Sequence, residues 1–147
     1  MLEALASLFL NKLPDFFSKL FEKPKIKIGV KEFHYDLFEN KLNDSIVVIG
    51  PYTSVYYTRL TFSNIGRRLT TITDVRVVIN NKMELFSSAF NPIRLEPGEF
   101  FERVVIFPVK RDEALNLGTF EIKVLDSFGK IFRCVGQFPL THKVAGN

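Results

Sequence analysis

The chain has 147 residues, a formal net charge of +4 and a single cysteine, so no intrachain disulfide is possible and any core must rest on packing. Apolar residues make up 46%, with 16 Phe and no Trp, which excludes a disordered chain; no run approaches the roughly 18 uninterrupted apolar residues of a membrane-spanning helix. Residues 1–31 hold six lysines and three acids, so most of the positive charge lies there, and a net charge of this size does not indicate nucleic acid.

Leu2, Leu5, Phe9, Leu13, Phe16 and Leu20 recur at spacings of three and four, which predicts an amphipathic helix over 2–22. Glu3, Ser7, Asn11, Ser18 and Glu22 fall opposite, while Leu8, Leu10, Phe17 and Phe21 widen the stripe beyond a coiled-coil seam. Pro14 predicts a kink, or the first turn of a second short helix, and Lys23-Pro24 ends the helical run. Lys19, Lys23, Lys25 and Lys27 form a basic cluster where this segment, 1–24, meets the rest, 25–147. Glu3 stands where a signal peptide would be basic, and Lys12 and Asp15 interrupt its apolar core. The expected location is therefore cytoplasmic, with the membrane surface as a second option.

From residue 25 the period changes to two. Ile26, Ile28 and Val30 are expected inward and the intervening lysines outward, as on an edge strand. Further strands are predicted at 46–49, 55–63, 72–80, 100–109, 119–125 and 131–138. Tyr56, Leu60 and Phe62 share one face; Val75, Val77 and Ile79 share another; Phe120, Ile122 and Val124 a third. Residues 100–109 are apolar on both faces, which implies cover by the helix or a partner. Turn chemistry separates the runs, notably Ser63-Asn64-Ile65-Gly66, Asn80-Asn81-Lys82, Pro97-Gly98 and Asp126-Ser127-Phe128-Gly129. The expected fold is all-β: an immunoglobulin-like antiparallel sandwich of about seven or eight strands, with an N-terminal amphipathic helix.

Three pieces carry a resemblance. They are Phe62-Ser63-Asn64-Ile65-Gly66 followed by Ile72–Ile79, Leu95-Glu96-Pro97-Gly98-Glu99, and Gly118-Thr119-Phe120-Glu121-Ile122-Lys123-Val124 with Asp126. Over about residues 55–135 they resemble immunoglobulin-like domains of bacterial and archaeal surface proteins, the CARDB type. The resemblance implies a sandwich and supplies no catalytic residue, because its motifs are turns and core faces.

The two histidines, His34 and His142, have no partner arrangement for a triad or a metal site, and Cys134 reads as a small core thiol. Asp36, Glu39 and Asp44 do not match a calcium loop. Tyr57 falls on an outer face, and Arg67 and Arg68 follow Gly66 in a turn, so these three are candidate surface contacts. No catalytic residue, metal or cofactor is expected, and the chain reads as a non-enzymatic protein-binding or scaffolding module. Its helix would serve docking or self-association. A peripheral membrane protein tethered by the helix and its lysines is the alternative, and a virion or filament subunit shares the same features.

Overall fold

The computed structural model describes residues 24–37 and 54–141. The expected helix, with Lys19 and Lys23, lies outside them, as do the strand expected at 46–49 and His142. Eight strands follow in chain order: β1 (Ile26–Leu37), β2 (Ser54–Asn64), β3 (Thr70–Ile79), β4 (Met83–Phe86), β5 (Ile93–Leu95), β6 (Phe100–Val109), β7 (Gly118–Asp126) and β8 (Ile131–Phe138). They make two antiparallel sheets, one in the order β1-β2-β6 and one in the order β4-β3-β7-β8, with β5 also paired to β3.

Alternation puts Tyr56, Leu60 and Phe62 of β2 and Val105, Phe107 and Val109 of β6 against Val75, Val77 and Ile79 of β3 and Phe120, Ile122 and Val124 of β7. These side chains are buried. Each full burial of a large apolar side chain is worth about 1.5–3 kcal/mol relative to exposure, which offsets the conformational entropy that no disulfide is present to reduce.

Two bulges reset the alternation. On β1 the pairing with β2 shifts between Val30 and Glu32, leaving Lys31 as the extra residue. Ile26, Ile28 and Val30 pack inward before it and Phe33 and Tyr35 after it, so the inward set passes from even to odd numbers, as one inserted residue requires. On β3 the pairing with β7 shifts between Ile72 and Asp74, and the inward set passes from Ile72 to Val75 and Val77.

The turns use the chemistry read from the sequence. Asn80 and Asn81 both have positive φ, 50° and 56°, and the Lys82 N–H donates to the Ile79 carbonyl at 3.0 Å. This is the left-handed pair that a tight hairpin needs, and it joins β3 to β4. Gly98, at φ 84°, follows Pro97 in a turn closed by the Glu99 N–H on the Glu96 carbonyl at 3.0 Å.

Candidate functional site

One end of the sandwich gathers the start of β1, the β2–β3 turn, the β5–β6 turn and the β7–β8 turn. Two buried polar residues organise it. The Asn64 side chain donates to the Arg68 carbonyl at 2.9 Å and the Leu95 carbonyl at 3.0 Å, and accepts from the Gly66 N–H at 3.0 Å. Asp126 accepts from the N–H groups of Phe128 and Lys130 at 3.0 and 2.8 Å, and from the Thr70 hydroxyl at 3.2 Å. Buried acceptors and donors of this kind are costly to leave unmade. The Asn-x-Gly turn and the strand-ending Asp are therefore structural pins for the side chains they present.

Those side chains are basic and apolar. Ile65, 55% exposed, donates its N–H to the Lys25 carbonyl at 2.8 Å, so the turn sits directly beside the start of β1. The Arg68 guanidinium lies 4.4 Å from the ring centre of Phe128, which is 51% exposed. Lys130 lies 4.9 Å from the Phe132 ring. A shallow cleft of about 360 Å³ runs between β1 and β8, with Lys25, Lys130 and Arg133 around a floor of Pro24, Ile26, Ile131 and Phe132. Arg133 is 3.4 Å from Glu121, whereas Lys25, Lys27, Arg68 and Lys130 have no carboxylate within 4 Å among the described residues. Arg67 is exposed in the same turn as Arg68. Besides the buried Asp126, the acids Glu96 and Glu99 belong to the β5–β6 turn, which bonds to Asn64 through the Gly98 N–H at 2.8 Å on the side of β2 away from β1, and Glu96 is 3.9 Å from Arg94.

A second surface is the outer face of β1-β2-β6. His34 stands opposite Tyr57 in register, their rings 5.1 Å apart and stacked. Arg59 donates to the Tyr57 hydroxyl at 3.4 Å and lies 3.7 Å from Glu32 and 3.9 Å from Glu102, while Lys31 donates to Glu102 at 3.3 Å. The hydrogen bond to Tyr57, its negative potential, and then Glu32 hold the guanidinium even more firmly protonated than usual. Beside this network β6 turns Phe100, Val104 and Ile106 outward, opposite Ser63, Arg59 and Tyr57. Phe100 is 60% exposed and Val104 42%. The two-sided apolar character of β6 thus divides into a core face and an open stripe.

The structure places Tyr57 on this outer face and Lys25, Lys27, Arg67 and Arg68 at the basic end. It brings Lys25 together with Lys130 and Ile131, and Arg68 together with Phe128; the sequence reading did not single out Phe128, Lys130 and Ile131. Their signal lay in the β7–β8 hairpin, whose position beside β1 is a tertiary fact. Cys134 is half-buried in β8, and burial pushes its thiol pKa up. Among the described residues no three His, Cys, Asp or Glu side chains group to hold a metal, and no helix is long and apolar enough to cross a membrane.

No family model and no curated protein matches the chain. Among solved structures it is similar to a FixG-related protein from Vibrio parahaemolyticus, at 15% identity over 82% of this chain and 97% of that one, TM-score 0.46. It is also similar to a provisionally assigned ApaA protein from Bordetella pertussis, at 16% identity over 82% and 96%, TM-score 0.46.

Proposed function

We propose that the chain is a non-enzymatic protein-binding module, an immunoglobulin-like sandwich that engages a protein partner in the cytoplasm. The observation that carries this reading is the outer face of β1-β2-β6, where exposed Phe100 and Val104 lie against the Lys31–Glu102–Arg59–Glu32 network. Apolar area ringed by fixed charges of both signs fits a polypeptide surface, with the apolar part supplying burial and the rim setting orientation. A sugar would call for planar aromatic stacking without the aliphatic stripe, and a nucleic acid for one sign of charge. The N-terminal segment acts as a docking or self-association element.

Chemical cross-linking of the full chain in its native host, followed by mass spectrometry, tests the reading. A polypeptide cross-linked through Lys31, and lost with Val104→Asp while the melting temperature holds, supports it. Cross-links that ignore Val104→Asp, or that run only through Lys123 on the opposite sheet, overturn it.

A further inference from the structure

We infer that the basic end of the sandwich is itself a membrane-contact surface, built to rest on a bilayer rich in anionic lipid. Three observations converge on it. Lys25, Lys27, Arg68 and Lys130 are exposed and lack carboxylate partners among the described residues, a lack that Lys82, Lys110 and Lys123 share elsewhere, but here Lys25 and Lys130 flank one cleft and Arg68 stands over Phe128 of the next turn. Unneutralised cations on one surface attract anionic head groups, and they do so without first breaking ion pairs. Next, two large apolar side chains, Ile65 and Phe128, stand exposed at the tips of adjacent turns beside those cations. Apolar tips inside a basic ring suit the boundary between head groups and acyl chains, where each element meets its own solvent.

The third observation is where the chain enters. Residues 1–23 join the sandwich at Pro24, which lines the cleft with Lys25 and Lys130, and their sequence carries the Leu2–Leu20 stripe together with Lys19 and Lys23. A segment of that sequence, tethered at Pro24, would add a second lipid contact to the one made by the end itself. Two weak contacts linked in this way bind far more tightly than either alone. The Glu96–Glu99 turn lies on the side of β2 away from β1, so the contact would tilt the sandwich toward its β1–β8 edge and leave the β6 stripe facing water, open to a partner.

Full-length protein mixed with vesicles of neutral lipid containing about 30% phosphatidylserine tests this. The paired variant Lys25→Glu/Lys130→Glu is compared with Lys82→Glu/Lys110→Glu, which makes the same change in charge at the opposite end of the sandwich. Each basic side chain near an anionic surface contributes about fivefold in affinity. The first variant should therefore bind at least about 25-fold more weakly, and the second within a few-fold of wild type. Ile65→Ser/Phe128→Ser should weaken binding in a way that added salt does not reproduce, because the apolar contribution is unscreened. All three paired variants change exposed residues, and their circular-dichroism melts check that folding is intact. Equal losses from the two charge variants, binding unchanged by any of them, or no vesicle binding by wild type at low salt would each overturn the inference. The middle outcome would assign membrane binding to residues 1–23 alone.

Discussion

The Tyr56 hydroxyl closes a reciprocal pair with the backbone of one residue: it donates to the Leu115 carbonyl at 3.0 Å and accepts from the Leu115 N–H at 2.8 Å. The pair spans 59 residues and ties the β6–β7 connection to the floor of the core. Tyr56→Phe leaves both Leu115 groups without that partner and should destabilise the chain by about 1–3 kcal/mol. Faster hydrogen exchange at the Leu115 amide would show that the loss is local.

Alkali probes the same hydroxyl. Burial raises its pKa above the ordinary 10.0, with the Leu115 hydrogen bond pulling the other way. The folded chain therefore holds the Tyr56 proton more tightly than the unfolded chain does. That contribution is fully present below pH 10 and is lost as pH rises through the elevated value. In urea melts from about pH 8 to about pH 11, the stability gap between wild type and Tyr56→Phe should narrow at the alkaline end. A constant gap would mean that the hydroxyl ionises equally in both states.

Packing around Phe120 makes a sharper prediction. Its ring stacks on Phe33 of the other sheet, centroids 4.4 Å apart and nearly parallel, and its edge lies where a side chain on Gly136 would go. A Cβ there would meet the ring at 2.5 Å. Gly136→Ala should cost about 1–3 kcal/mol through overpacking, and Phe120→Ala about 3–5 kcal/mol through the cavity it leaves. The double variant should be less destabilised than the sum, because removing the ring removes the clash. Additive losses in equilibrium melts would show that the two residues do not meet.

The inward faces of β2, β3 and β7 were legible because period-two alternation in 55–63, 72–80 and 119–125 is a local property, and the sheets follow it. β6 and β8 have the expected bounds, Phe100–Val109 and Ile131–Phe138. The short strands β4 and β5 were not read, since Met83–Phe86 and Ile93–Leu95 are too brief to show a period and exist by pairing with β3. The Lys31 bulge was equally silent: alternation up to Lys31 gives no sign that Phe33, and not His34, will face inward. Of the basic end, Lys25, Lys27, Arg67 and Arg68 were legible as charges. The meeting of Lys25 with Lys130 depends on β8 lying beside β1, and that of Arg68 with Phe128 on β7 pairing β3, which no local pattern encodes.

Cys134 should be a slow nucleophile. Burial raises its pKa above the ordinary 9.0, so the reactive thiolate is scarce at neutral pH. Its alkylation by iodoacetamide should be slower in the folded chain than in the urea-unfolded chain. Comparable rates would show that β8 opens readily.

Asp126 offers the last test, because Asn and Ala separate its two roles. The carboxylate accepts the Phe128 and Lys130 N–H groups through one oxygen and the Thr70 hydroxyl through the other. Asp126→Asn keeps one oxygen for the two backbone donors and gives Thr70 an amide that can donate to its hydroxyl, so every bond is still satisfiable. Asp126→Ala leaves two backbone N–H groups and a buried hydroxyl without that acceptor. The Ala variant should therefore lose about 2–4 kcal/mol and the Asn variant about 1 kcal/mol or less. The damage should begin in the hairpin it holds: amide exchange at Phe128 and Lys130 should accelerate in Asp126→Ala under conditions where the Val77 and Ile122 amides remain protected. If Asp126→Asn proves as destabilising as Asp126→Ala, the negative charge itself matters at this turn. High salt should then shrink the cost of the Asn change.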